Sequence, residues 1–300
     1  MVGALATAAA GRLLDIGARS ITAVTARLGD ASRVLSFTRG LLEFRVRPDD
    51  IFIVTYPRSG TTLMQFLLHQ LVTGGDEPEF DHISQVAPWF ERSLAVGALQ
   101  PRDLEEMPSP RIFKSHLAYR WVPRGGRRIY ITRDGRDVAV SYYHFYRSHL
   151  RYRGSFEQFI ARFLRGDLQY GSWFKHTAGW AARRGEPGVL LLRFEDLVES
   201  LPSCIRAVAA FCDLELREGR AAAIARRCSF EWMKRHEERF DFTTELLLQL
   251  GYRRRAFLRG GRTGDGNATL GPEQEAAFRR EAERPRRLPD VELDLPRFLH

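Results

Sequence analysis

Cysteine is scarce in this chain, with three in 300 residues, at Cys204, Cys212 and Cys228. Their spacings of 8 and 16 residues match no metal-ligand motif. So few thiols exclude a disulfide framework and a zinc ribbon. A reducing compartment, the cytoplasm, is the expected home. Lysine is as scarce: Lys114, Lys175 and Lys234 are 3 of the 46 basic residues, and the other 43 are Arg. A bias this heavy reads as compositional. The clusters Arg253-Arg254-Arg255 and Arg284-Pro285-Arg286-Arg287 are therefore read as solvated basic faces. No aromatic-interleaved basic strand lies beside them, so no nucleic-acid partner is expected. No apolar run reaches the ~20 residues that a membrane-spanning helix needs. Residues 1–10 are apolar, but no basic residue precedes them, and the first charge is Arg12. That pattern does not predict a secretory leader. Internal repeats and low-complexity linkers are absent.

What is present describes a globular protein. Hydrophobic residues make up 44% and charged residues 28%, the balance of a folded, water-soluble domain. At this length about three quarters of the unfolded surface is buried on folding, so neither metal nor disulfide is required as a staple. The net charge of +9 suits an anionic ligand.

Strand-like and helix-like segments alternate. Residues 51–56 form a near-continuous apolar run, as in a strand buried on both faces. A turn at 57–60 leads to a helix over 61–72, which Gly74 and Gly75 end. Further helices are expected at 84–96, from about 136 to 147, and at 156–164, 172–183, 200–212, 217–226, 229–238 and 272–283. Strands are expected at 111–114, 128–132 and 189–194. The Gly-rich stretch 257–269 reads as a loop. Four strands separated by helices predict an α/β fold in a single domain, a central parallel β-sheet flanked by helices. Residues 1–47 read as an N-terminal helical lead-in, 48–290 as the main domain and 291–300 as a tail. The lead-in is expected to pack on the domain, with peripheral contact to a membrane surface as the alternative. Ligands of such sheets lie beyond the carboxyl ends of the strands.

Three segments follow strands and carry chemistry. The first is Thr55-Tyr56-Pro57-Arg58-Ser59-Gly60-Thr61-Thr62. A helix that starts after a tight turn offers free N–H groups and the positive end of its dipole to a phosphate or sulfate. Arg58 adds a charged fork, and Ser59, Thr61 and Thr62 add hydroxyls. Against the kinase loop GxxxxGK[ST], Gly60 and Thr62 match. Thr55 stands in place of the first Gly, and Thr61 in place of the Lys. The second segment is Lys114-Ser115-His116, where His116 has the side chain suited to a general base near neutrality. In the third, Arg133 ends a strand and Ser141 follows eight residues later, about two helical turns on. Together they suit a terminal phosphate.

Taken together, these segments resemble the cytosolic-type sulfotransferases that use 3′-phosphoadenosine 5′-phosphosulfate (PAPS). The loop 55–62 is similar to the family's 5′-phosphosulfate loop. Lys114-Ser115-His116-Leu117 is similar to its catalytic Lys-Thr-His-Leu. Arg133 with Ser141-Tyr142-Tyr143-His144-Phe145 resembles its 3′-phosphate motif. Phe194-Glu195-Asp196, the adenine-side segment Ser229-Phe230-Glu231, and the loop from Phe257 through Arg259, Gly260 and Gly261 to Asp265 follow in the family's order. The resemblance implies the phosphate-loop, nucleotide-kinase-like sulfotransferase fold. It implies in-line transfer of a sulfuryl group from PAPS to a hydroxyl of a small-molecule acceptor, without a metal. His116 would take the acceptor's proton, and Arg58 and Lys114 would stabilise the transferring group. Arg58, Ser59, Gly60, Thr61 and Thr62 would hold the 5′-phosphate. Arg133, Ser141 and Arg259 would hold the 3′-phosphate, with Phe194, Phe230, Gly260 and Gly261 around the nucleotide.

The chain departs from the family at several positions. Arg58 stands for Lys, Leu63 for Trp, Gly260 for Lys, and Gly266-Asn267 for Trp-Lys, and the family's C-terminal dimerisation motif is absent. Two alternatives have other signatures. A phosphate-loop kinase of small molecules would need a Lys in the loop and Mg²⁺ ligands. An inactive adenosine-bisphosphate-binding protein would have decayed at Arg58, Lys114, His116, Arg133 or Ser141. Acceptor loops are expected at 76–84, 117–124, 146–154 and 239–253. Tyr146, Phe240, Phe242 and the run Leu246-Leu247-Leu248 suggest an apolar acceptor.

Overall fold

The computed structural model describes residues 31–96, 101–241 and 257–284. Helix α1 (residues 31–43) leads into strand β1 (Ile51–Thr55) and helix α2 (Thr61–Val72). Helices α3 (Phe90–Val96) and α4 (Pro101–Glu105) precede strand β2 (Ile112–Ser115). Strand β3 (Arg127–Thr132) is followed by α5 (Gly135–His149), α6 (Phe156–Arg165) and α7 (Trp173–Ala181). Strand β4 (Val189–Arg193) runs directly into α8 (Phe194–Glu199), then α9 (Leu201–Phe211), α10 (Arg220–Arg227) and α11 (Phe230–Arg235). A short helix α12 (Asp265–Thr269) and α13 (Pro272–Glu283) complete the described chain.

The four strands form one sheet in the order β2-β1-β3-β4, with every pairing parallel. The chain leaves β1 for β2 on one side and then crosses to β3 on the other. This order reversal opens a crevice at the carboxyl end of β1, where α/β sheets place their ligands. β1 is buried on both faces, which is why it reads as an unbroken apolar run. Ile51 and Ile53 face a cluster with Met64, Leu67, Ile205 and Val208. Phe52 and Val54 face the opposite cluster with Phe90, Phe113, Trp180, and Phe37 and Phe44 from α1 and its exit. A third cluster joins α5, α6 and α7 through Tyr142, Phe159, Phe163 and Phe174.

The expected helix at 84–96 is interrupted. A 3-10 turn spans Ile83–Gln85, and α3 begins only at Phe90. Pro88 has no N–H to continue a helix. Its carbonyl instead accepts from Lys114 N at 2.9 Å, and Trp89 forms a parallel bridge with Lys114. The loop expected at 257–269 contains α12. Phe240 is core rather than acceptor wall: it is 2% exposed and packs edge-on to Phe66 and Phe80. Phe242, the Leu246-Leu247-Leu248 run and Arg253 to Arg255 lie outside the described residues. No helix among the described residues is long and apolar enough to cross a membrane.

Candidate active site

The loop from β1 to α2 makes the floor of the crevice. Two of its residues have left-handed backbone, Arg58 at φ 72° and Gly60 at φ 99°. Gly60 suits this conformation and the packing: a Cβ there would stand 2.7 Å from the ring of Phe194. No side chain caps the N-terminus of α2. Its first-turn N–H groups are left for an anion. The hydroxyl of Ser59 is buried with no hydrogen-bond partner, as is Nε of Arg133.

Basic side chains converge over this loop. Arg58 Nε donates to Ser141 Oγ at 3.2 Å, and its Nη2 donates to the Phe257 carbonyl at 2.9 Å. The Arg58 guanidinium also lies over the rings of Phe145 and Phe257, at 5.2 and 5.0 Å. Arg133 donates to the carbonyls of Arg58 and Arg262 and lies 4.5 Å over Phe194. Burial, with Arg133 and Arg259 nearby, lowers Arg58 to about 10. Cations that depress one another in this way favour an anion between them. A cavity of about 420 Å³ opens here. Its wall includes Arg58, Gly60, Arg133, Ser141, Phe194, Phe230, Arg259, Gly260 and Gly261. Gly261 is held against Phe230, where a Cβ would come within 2.4 Å of the ring.

The remaining expected residues lie outside that wall. Thr61 Oγ1 is 2.6 Å from Thr55 Oγ1, which in turn is 3.2 Å from His116 Nδ1. His116 Nδ1 is also 2.9 Å from the Thr55 carbonyl. A carbonyl only accepts, so Nδ1 carries the proton and Nε2 carries the lone pair. Burial, with Lys114 close by, holds His116 well below its ordinary 6.5, so the imidazole is neutral at pH 7. The His116 carbonyl accepts from His176 Nε2 at 3.1 Å, which ties this turn to α7. Lys114 places its ammonium 4.0 Å from the centre of the Trp89 ring. Burial lowers Lys114 to about 8. Trp89 and Tyr170 stand edge-on to His116 at 5.2 and 5.1 Å and make two aromatic walls. Thr62 is half-buried in the first turn of α2.

Three supporting carboxylates escaped the sequence reading. Asp137 is 2% exposed and accepts from Gly264 N at 2.9 Å and Gly266 N at 2.7 Å. It also lies 3.5 Å from Arg133 Nη2. Glu237 accepts from Leu258 N at 2.6 Å, while Lys234 donates to the Leu258 carbonyl at 2.6 Å. Glu91, with no exposed surface, accepts from His116 N at 2.8 Å. Each is an acidic residue with no motif of its own. The one available signal for Asp137 was its i+4 spacing from Arg133. No group of three or more metal-binding side chains occurs among the described residues.

Comparison with known proteins gives a consistent result. A family model described as a sulfotransferase domain matches residues 48–285. Human sulfotransferase 4A1 is 36% identical over 209 residues, 65% of this chain and 72% of the relative. Sulfotransferase 1B1 of Canis lupus familiaris is 33% identical, covering 74% of this chain and 78% of the relative. The amine sulfotransferase of Oryctolagus cuniculus is 32% identical, covering 79% and 81%. Among solved structures, mouse sulfotransferase SULT7A1 complexed with PAP superposes with a TM-score of 0.67 at 25% identity, over 84% of this chain and 88% of that one. Retinol dehydratase, solved with androsterone and inactive cofactor PAP, shares the fold with a TM-score of 0.69 at 22% identity, over 85% of this chain and 88% of that one.

Proposed function

The chain belongs to the sulfotransferase family, and on that premise we propose that it moves a sulfuryl group from PAPS to the hydroxyl of a small apolar or aromatic acceptor, with His116 as the general base. It is a PAPS-dependent sulfotransferase.

The observation that carries the reading is the bridge through Thr55. One residue joins Thr61, at the start of the anion-binding helix, to Nδ1 of His116. The base is thereby fixed relative to the place where a 5′-phosphosulfate would bind. The residues present fit that nucleotide. An uncapped helix start, the unpartnered Ser59 hydroxyl and the guanidiniums of Arg58, Arg133 and Arg259 supply donors for two phosphates.

In the transfer, the acceptor oxygen forms a bond to sulfur as the bond from sulfur to the 5′-phosphate breaks. His116 receives the acceptor proton at Nε2. Arg58 and the α2 N–H groups stabilise charge on the departing phosphate, the kind of fixed electrostatic support that lowers such barriers. Arg58 keeps its proton throughout, so it acts through charge and not as an acid. Lys114 helps to hold the sulfuryl group. Arg133, Ser141 and Arg259 hold the 3′-phosphate, and Phe230 lines the base end with Leu63. Trp89 and Tyr170 form the acceptor's aromatic surroundings near His116.

Calorimetric titration of adenosine 3′,5′-bisphosphate into the protein, with EDTA present and ATP as control, tests the donor site. Micromolar binding without metal and weak binding of ATP are expected. An acceptor screen with labelled PAPS follows, in which phenols, sterols and long-chain alcohols outrun polar sugars. Tight binding of ATP with Mg²⁺ alone would replace this reading with the kinase one.

A further inference from the structure

Glu91 sits in the first turn of α3 with no exposed surface. An isolated buried carboxylate is strongly disfavoured, so its partners must account for its presence. One oxygen, Oε1, accepts two N–H groups: Trp89 Nε1 at 2.7 Å and the main-chain N of His116 at 2.8 Å. The other, Oε2, has no hydrogen-bond partner. On the far side of the interaction, the Lys114 ammonium lies 4.0 Å from the Trp89 ring centre, and Arg92 lies 5.5 Å from it. The β-bridge between Trp89 and Lys114 fixes these two residues side by side. Pro88 makes this arrangement possible, because it breaks the helix and turns the chain to run beside β2.

We propose that Glu91 is a positioning residue for sulfuryl transfer, holding His116 by its main-chain N–H and Lys114 through the face of Trp89. The proposal rests on the sulfotransferase reading of the site. A carboxylate that accepts from an indole N–H increases the negative charge on the ring face, which strengthens the attraction for a cation above it. The same negative charge helps Lys114 keep its proton against burial. Burial pushes the Glu91 carboxyl up, while hydrogen bonds from Trp89, the His116 main chain and Ser115 favour its charged form. Arg92, Arg58, His116, His82 and Tyr170 are the other charged or titratable groups that act on Glu91 or Lys114. Glu91 is absent from the wall of the nucleotide cavity, so it acts on the transfer and not on donor binding.

Glu91→Gln and Glu91→Ala separate the charge from the scaffold. Gln keeps an oxygen for the two N–H donors and removes the charge, whereas Ala removes both. The turnover number with PAPS and 2-naphthol should fall about tenfold in Gln and about 100-fold in Ala, the cost of a displaced catalytic group. The Kd for adenosine 3′,5′-bisphosphate should stay within about twofold of wild type, since Glu91 contacts none of the groups that bind it. A readout independent of turnover comes from ¹⁵N-labelled lysine in the full chain, which contains only Lys114, Lys175 and Lys234. In Glu91→Gln the Lys114 signal should titrate at lower pH, with the other two unmoved. Wild-type turnover and an unmoved Lys114 titration in Glu91→Gln would overturn the proposal. So would a loss of donor binding in step with turnover, which marks a general scaffold. A wild-type protein that binds no adenosine bisphosphate would instead overturn the underlying reading. The lysine titration is read in the same samples, so the two failures are distinguishable.

Discussion

The main-chain N–H of Gly266 donates to Asp137 Oδ1 over 2.7 Å, and the approach leaves no room for a side chain: a Cβ at 266 would stand 2.4 Å from Cβ of Arg136. The loop that carries Arg259 is thus fastened to the start of α5, beside Arg133. Glycine at 266 therefore has a steric reason here.

Asp137→Ala should free the N–H groups of residues 264 and 266. A hydrogen bond to a charged acceptor contributes ~1.5–3 kcal/mol, so the Kd for adenosine 3′,5′-bisphosphate should rise at least about tenfold. Gly266→Ala should act in the same direction through the clash. Calorimetry reads both, and an unchanged Kd in the two variants would show that the loop does not serve the donor.

Arg133→Ala and His116→Ala should give opposite phenotypes. Arg133 is 8% exposed, lines the cavity and has a buried Nε with no hydrogen-bond partner. Its loss should raise the donor Kd at a cost of about 1.5–3 kcal/mol. Loss of His116 should abolish turnover yet leave donor binding within roughly threefold, because its role is in the proton transfer. Exchange of the two phenotypes would reverse the role assignment.

The pH profile of kcat/KM, which reports groups of the free enzyme, should be flat through neutrality. Burial and Lys114 hold His116 well below 6.5, so the base is already unprotonated at pH 7, and its acid limb falls below that value. Lys114, lowered to about 8 by burial, loses its charge above that pH and sets the alkaline limb. Lys114→Arg should remove the alkaline limb, because a guanidinium stays charged there. A limb that persists near 8 in this variant would assign it to another group.

Stability should decline on acidification below pH 6.5. Burial lowers His69, His82, His144 and His116, and brings His176 down to about 4. Below 6.5 the unfolded chain takes up protons that the folded chain refuses, so unfolding is favoured as pH falls toward the folded values. Above 6.5 both states are neutral at these residues and they contribute no slope. Urea midpoints at pH 7 and pH 5 measure this, and a higher midpoint at pH 5 would contradict it.

The sequence by itself determined the parallel sheet and the three segments that follow its strands. Local patterns specify both: apolar runs of strand length, a turn that ends in Gly60, and basic or hydroxyl residues at the strand ends. It also singled out Arg133 and Ser141, which both line the cavity, but Arg133 precedes α5 and Ser141 Oγ accepts from Arg58, a partner that only the fold supplies. Only the tertiary structure decided what supports these groups. Glu91, Asp137 and Glu237 carry no motif, and each takes its meaning from main-chain N–H groups distant in sequence, at His116, Gly264 and Gly266, and Leu258. A carboxylate's partners depend on where other segments fold, and composition does not encode that. The split of 84–96 at Pro88 and the burial of Phe240 were decided in the same way. In one, a carbonyl found a partner on β2. In the other, an aromatic ring found a place beside Phe66 and Phe80, where packing outweighed local preference.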